Sequence, residues 1–169
     1  MTSKNREGAF LLPGQSIRMP KPTWPGIAAS VAVIAKRDRA VLLIRRRYPP
    51  FRGAFAFPGG FLEVGEEDLY QTAARELREE TGIRAKPEQL RLLDARSRPR
   101  RDPRGHIIDI GFLFVLPRKA PLPAQTSETK PLWVPFSRAD RLRFAFDHAA
   151  MWRNAKAALR SRPLPLRRG

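Results

Sequence analysis

PGGFLEVGEEDLYQTAARELREETGI, residues 58–83, is the stretch on which the fold turns. Its last nine residues, RELREETGI at 75–83, have the make-up of a helix with an acidic face. Glu76, Glu79 and Glu80 stand three and four residues apart, so on a helix their carboxylates share one side. Like charges at that spacing repel by a few tenths of a kcal/mol per pair, and a cation in front of them would relieve this. Carboxylate oxygens are hard ligands that suit magnesium, calcium or manganese rather than zinc. A plain solvated helix is the competing reading, with Arg75 pairing Glu79 and Glu80 pairing Arg84 at i,i+4. The Pro58-Gly59-Gly60 element in front shifts the balance, because paired glycines let backbone approach a ligand or metal closely. The expected order is a strand, a Gly-Gly turn, an acidic loop and then the helix.

The same stretch resembles the signature box of the Nudix hydrolases: a glycine, five residues, a glutamate, seven residues, then Arg-Glu-apolar-any-Glu-Glu-any-Gly-apolar. The final nine positions match throughout, but the spacing ahead of them departs by one residue. Counting back seven residues from Arg75 reaches Glu67, which leaves six residues between it and Gly60. Glu66 restores the first gap and lengthens the second to eight. The extra residue is expected in the loop before the helix, where insertions are tolerated best. Either glutamate could be the loop member of the box. FRGAFAFPGGF at 51–61, DPRGH at 102–106, WVP at 133–135 and FDH at 146–148 are similar to segments of the ADP-ribose pyrophosphatase branch, as is Pro99 beyond the box. The resemblance therefore runs from about residue 27 to 148.

Composition bounds the rest. At 169 residues the chain reads as one domain with a sizeable core, flanked by an N-terminal arm at 1–24 and a basic tail at 161–169. No apolar run approaches the roughly 20 residues of a membrane span, so no membrane partner is expected, and the N-terminus lacks an apolar signal core. Cysteine is absent, which excludes disulfides and zinc ribbons and fits a cytoplasmic protein. The balance of 33 basic against 16 acidic residues, net +17, favours polyanions: phosphorylated metabolites, nucleic acid or an anionic membrane surface. An arginine-rich proteome would produce the same charge without functional meaning, and both readings stand.

Taken in order, IAASVAVIA at 27–35 reads as a buried strand and AVLLIRR at 40–46 as its hairpin partner across a polar turn. AFAF at 54–57 is expected as a strand leading into the Gly-Gly turn. Asp68 caps the box helix with Gln71 in a capping box, Leu69, Ala73 and Leu77 form its apolar stripe, and Gly82 ends it. Residues 90–96 read as a strand and SRPRRDPRGH at 97–106 as a basic loop. IIDIGFLFVL at 107–116 is a buried strand interrupted by Asp109, whose carboxylate must be paired in the sheet or placed at a site. A short strand at 132–136 and a helix over 147–160 follow, with Ala149, Ala150, Trp152, Ala157 and Leu159 as packing candidates. This order suits an α/β/α sandwich around a mixed sheet, the Nudix fold that the resemblance also implies.

The resemblance implies magnesium, with manganese as a substitute, held by Glu76, Glu80 and the Gly59 carbonyl. It makes Glu79 a further ligand or the group that activates water, and leaves Arg75 to orient the glutamates. Glu128 is the late glutamate that could serve as a base. Arg45, Arg46 and Arg104 are candidates for substrate phosphate, since a guanidinium matches its geometry. Asp147 and His148 read equally well as part of a motif or as an N-cap and a surface histidine. The function implied is hydrolysis of nucleoside diphosphate-linked metabolites, ADP-ribose first, to a nucleoside monophosphate and a phosphorylated sugar. Cleavage of oxidised (d)NTPs is the nearest enzyme alternative. A ligand-sensing or RNA-binding protein on the same fold is the alternative of another class, although regulators of this branch carry a further DNA-binding domain for which about twenty residues after His148 leave little room. The branch also suggests a homodimer with exchanged arms.

Overall fold

The computed structural model describes residues 26–125 and 129–161. The arm at 1–24, Glu128 and the tail beyond Ser161 lie outside the described residues. The centre of the molecule is a parallel pair, β1 (Gly26–Ala35) and β6 (Ile107–Leu116), in register from Gly26↔Ile107 to Ala35↔Leu116. Both strands read as nearly unbroken apolar runs because the pair is covered on both faces. Outside β6 lies β5 (Arg91–Arg96), antiparallel, with a bulge between Leu92 and Asp94.

The other edge of β1 is shared between two partners. Its first half, Ala28 to Ser30, pairs antiparallel with β4 (Gly59–Phe61), and its last residues, Val33 to Ala35, pair with β2 (Ala40–Arg46). Beyond this shared edge β2 runs on, paired with β3 (Phe55–Ala56) on one side and with β7 (Thr129–Pro135) on the other. The sheet thus forks, and at the crotch Val31 N–H donates to the Pro58 carbonyl at 2.8 Å.

Alternate β1 residues serve two cores. Ala32 and Ile34 join Val41, Leu43, Met151, Trp152 and Ala155 beneath α3 (His148–Arg160). Ala29, Val31 and Val33 join Leu42, Phe112, Ala73 and Leu77 beneath α1 (Leu69–Thr81). The sheet therefore lies between helical layers, an α/β/α sandwich. α1 begins with the expected capping box: Asp68 accepts the Tyr70 and Gln71 N–H groups at 2.8 Å and Gln71 accepts the Asp68 N–H at 2.8 Å. It ends at Gly82 in the left-handed region, φ 73°. Among the described residues no helix is long and apolar enough to cross a membrane.

Four expectations need correction. Gly59-Gly60 is not a turn but the start of β4, and neither residue takes a positive φ. The strand expected at 54–57 is reduced to β3, because its chain must swing across the fork to reach β4. The strand expected at 132–136 starts earlier, at Thr129, and admits Pro131 because β7 is an edge; Phe136 instead opens the short α2 (Phe136–Ala139). On α3, Ala149 and Ala157 face solvent, while His148, Met151, Trp152 and Ala155 are buried, with Ala158 and Leu159 packed beside them. The true stripe is set by Met151 and Trp152, and the alanines do not report which way the helix turns.

Candidate active site

The fork holds a cavity of about 570 Å³. One wall is the inner face of α1. Glu80, 8% exposed, accepts the Gly59 N–H at 2.8 Å. Because Val31 N–H takes the Pro58 carbonyl and Leu62 N–H the Ile27 carbonyl, ladder alternation leaves both the N–H and the carbonyl of Gly59 turned away from β1. Glu76 sits one turn before Glu80, against Gly60, where a Cβ would overlap its carboxylate. Gly59 is hemmed in on the opposite side, where a Cβ would overlap the Ala29 carbonyl and lie 2.7 Å from Ser30 Cα. The glycine pair thus serves close approach on both faces of β4 rather than an unusual backbone conformation.

A guanidinium holds the acidic residues in place. Arg75 donates to both oxygens of Glu67 at 2.8 and 3.1 Å, to Glu76 Oε1 at 2.8 Å, to Glu79 Oε2 at 3.2 Å and to the Phe61 carbonyl at 3.1 Å. The hydrogen bonds it donates to Glu67 and then to Glu76 hold its pKa above the usual arginine range despite partial burial. In return, Arg75 pulls the Glu67 carboxyl down to about 2, aided by the Glu63 N–H and the Thr72 hydroxyl. Glu66 is exposed in the turn around Gly65, φ 90°. Of the two loop candidates, Glu67 is therefore the one bound into the box.

Glu76 and Glu80 line the cavity, and so does Gly59; Glu79 does not, lying half exposed between Arg75 and Arg78. Among the described residues no three acidic or imidazole groups form a ready-made cage. Two carboxylates and a peptide carbonyl are still the all-oxygen set magnesium favours, since that ion completes its shell with water and substrate phosphate. The donor chemistry fits a hard divalent cation.

The facing wall is basic and aromatic. Arg46 reaches into the cavity with its Nε on the Pro50 carbonyl at 2.7 Å and its guanidinium 5.1 Å from the Phe146 ring. Burial, and next the charge of Arg104, lower its pKa, and no carboxylate among the described residues pairs with it. Arg104 lies over Phe61 at 4.9 Å and Phe146 at 5.5 Å, and is bound through Nε and Nη2 to Asp102 at 3.0 and 2.7 Å. Arg45, on the opposite face of β2, is exposed and among the described residues reaches the Gly53 carbonyl at 3.4 Å. Phe146 itself has φ 52°, a conformation that bulky residues rarely adopt and that collects at functional sites.

Behind this wall lies a buried ionic network. Asp109 accepts the Ser30 hydroxyl at 3.0 Å, Arg96 Nη2 at 2.7 Å and Arg101 Nη2 at 3.3 Å. Burial pushes its carboxyl upward, but the facing His148 imidazole and the Arg96 guanidinium outweigh that and keep it ionised. Asp147 binds Arg101 through both oxygens at 2.5 and 2.9 Å and makes no side-chain cap to α3. His148 is buried, 4% exposed, and burial lowers its pKa although Asp109 pulls the other way. The reading of these two as a cap and a surface histidine is thus corrected: the loop arginine at 101 holds Asp147 away from the helix start, and His148 is turned inward to the Phe57 N–H and Asp109. Arg101 and Ser30 were not singled out from sequence, and Asp102 and Phe146 entered only within the segments 102–106 and 146–148, with no role assigned. Only the burial of Asp109 within its strand signalled that basic partners had to exist.

A NUDIX domain family model matches residues 24–155. An ADP-ribose pyrophosphatase from Methanocaldococcus jannaschii is 46% identical over 87 residues, 52% of this chain and 50% of that protein. The ADPR responsive transcriptional repressor NtrR from Acinetobacter baylyi is 28% identical over 157 residues, 92% of this chain and 62% of its own length. Among solved structures, the bifunctional NMN adenylyltransferase/ADP ribose pyrophosphatase of Francisella tularensis, complexed with AMP and a manganese ion, has a TM-score of 0.66 at 27% identity over 80% of this chain and 41% of that one. The chain spans half to about three fifths of the curated relatives' length.

Proposed function

The chain belongs to the NUDIX domain family, and from that premise we propose that it hydrolyses the pyrophosphate bond of a nucleoside diphosphate-linked metabolite, ADP-ribose first. The observation that carries this is the pairing of walls across one cavity: the Glu76–Glu80 face of α1 on one side, and on the other Arg46, a half-buried cation that makes no salt bridge to a carboxylate among the described residues. A pyrophosphate supplies what both walls lack, two adjoining anionic groups that can meet a metal face and a guanidinium together. The pyrophosphatase relative and the AMP-bound structure support the adenosine diphosphate moiety.

Glu76, Glu80 and the Gly59 carbonyl would hold magnesium, or manganese in its place. The ion would neutralise phosphate oxygens and lower the pKa of a bound water. Arg75 orients Glu76 and ties it to Glu67. Arg46 and Arg104 receive phosphate oxygens, Arg104 with its charge moderated by Asp102. Water adds to one phosphorus, and the bond from that same phosphorus to the bridging oxygen breaks. The bridging oxygen stays with the other phosphate as the leaving group and a proton is released, giving a nucleoside monophosphate and a sugar phosphate. Glu79 is kept as the candidate third ligand or water-activating group.

The test is phosphate release, coupled to phosphatase, from ADP-ribose, NADH, diadenosine polyphosphates and oxidised dGTP with magnesium. Wild type is compared with Glu76→Gln, Glu79→Gln and Glu80→Gln. Turnover of ADP-ribose that collapses in the Glu76 and Glu80 variants supports the reading. The size of the Glu79 effect decides whether a group outside the cavity acts in the reaction. A second reading, ligand sensing without turnover, is favoured by the ADPR responsive relative. ADP-ribose binding by calorimetry with no release of phosphate would establish it instead.

A further inference from the structure

The peptide run that lies against the Glu76–Glu80 face, residues 57–59, has an unusual means of support. β3 ends at Ala56 and β4 begins at Gly59, so Phe57 and Pro58 lie in neither strand. Each of the three residues at 57–59 is nevertheless clamped. Phe57 N–H donates to His148 Nδ1 at 3.0 Å, the Pro58 carbonyl accepts Val31 N–H at 2.8 Å, and Gly59 N–H donates to Glu80 Oε2 at 2.8 Å. Proline has no N–H to offer, so the His148 bond is the hydrogen bond that fixes the entry to this run.

The imidazole is built for that task. With Nδ1 as acceptor, the proton of the neutral ring sits on Nε2, which faces Asp109 Oδ2 at 3.6 Å. Asp109 in turn is immobilised by Ser30, Arg96 and Arg101. The ring lies between Phe57 and Phe146, with centroids 5.7 and 5.4 Å away. Its place at the first position of α3 ties it to the Ala145 carbonyl through its own N–H. A buried ring with a defined tautomer and a fixed anion behind it can set the height of a peptide more sharply than a flexible side chain.

We propose that His148 is a positioning residue for the metal face: by holding the Phe57 N–H it places Gly59, and through Gly59 the Glu80 carboxylate. This rests on the reading of that face as a metal site. The proposal separates two roles of one ring, filling space beside Phe57 and accepting one hydrogen bond.

The experiment measures Mn²⁺ binding to the substrate-free protein by electron paramagnetic resonance, together with thermal unfolding and hydrogen exchange at Phe57. His148→Asn carries an amide oxygen where Nδ1 stands. His148→Gln carries its polar end at the Nε2 distance and leaves Phe57 N–H without an acceptor. The expected result is Mn²⁺ affinity within about threefold of wild type for the Asn variant and lower by roughly tenfold or more for the Gln variant, the range seen when a group supporting a metal ligand is lost. Phe57 exchange should quicken only in the Gln variant. Equal Mn²⁺ binding by both variants would overturn the proposal, as would equal weakening that follows only their unfolding temperatures. Absence of Mn²⁺ binding by the wild type would overturn the metal reading itself and the proposal with it. His148→Leu, with the ring's bulk but no acceptor, gives an independent arm and should match the Gln variant.

Discussion

A Cβ placed on Gly60 would overlap Oε1 of Glu76 and lie 2.7 Å from its Oε2. The obstacle is the far end of a flexible side chain, which can rotate away. Gly60→Ala should therefore leave the fold nearly unchanged while dislodging Glu76, with turnover falling about 10- to 100-fold. Gly59→Ala differs, because its Cβ meets the backbone of Ala29 and Ser30. That variant should lose about 1–3 kcal/mol of stability through overpacking. Urea unfolding measured beside kcat separates the two: a stability loss at Gly60 as large as that at Gly59 would contradict the geometry.

Acid should weaken the clasp between Glu67 and Arg75 within a defined window. The folded pKa of Glu67, about 2, lies below the ordinary glutamate value of about 4.5. Between these values the unfolded chain binds the proton and the folded one does not, so stability rises with pH there. The contribution is fully present above about 4.5 and is lost as pH falls towards 2. Glu67→Gln should remove that part of the slope in urea titrations, and Glu66→Gln should not change it.

Neighbouring arginines should behave oppositely. Arg46→Ala removes a cation from the cavity and should cost about 10- to 100-fold in kcat/KM, the equivalent of one charge-assisted hydrogen bond at ~1.5–3 kcal/mol. Arg45→Ala, on the outer face, should stay within about twofold. Steady-state kinetics on the substrate identified by the panel decides this, and equal losses would place the phosphate elsewhere.

The packing of α3 makes a further pair. Met151 is fully buried, so Met151→Ala should cost about 2–5 kcal/mol. Ala157 is exposed, and Ala157→Lys should stay within about 0.5 kcal/mol. Thermal unfolding of the two variants checks the orientation of the helix.

Which parts of this were legible beforehand follows from the range of the forces involved. Local rules identified α1 with its cap, its stripe and its Gly82 stop, and the apolar runs of β1 and β6, because the neighbours that decide them are within a few residues. The glycine pair was recognised but misplaced as a turn. Close approach and positive φ both select glycine, and only the packing of Glu76 and Ser30 on either side separates them. Asp147 and His148 were ambiguous for a similar reason: Asp147 is turned by Arg101, 46 residues away, and His148 by the Phe57 N–H, 91 residues away, and by Asp109. Phe146 offered no periodic signal at all, and its importance comes from three guanidinium groups that arrive from two distant segments.

The loop between β4 and α1 is fastened before Val64, by Leu62 N–H to the Ile27 carbonyl and by Arg75 to the Phe61 carbonyl and the Glu63 carboxylate, and after Glu66, by Arg75 to Glu67. Between those fastenings only Val64, Gly65 and Glu66 remain, exposed and slack, and their path does not bear on α1. One more residue, or several, can bow outward at Gly65 without shifting a carboxylate. A spacing rule would reject such a chain, whereas a rule that asks which glutamate an arginine grips would accept it. Lengthening this loop is accordingly a route for grafting new recognition onto the rim of the cavity while its chemistry stays put.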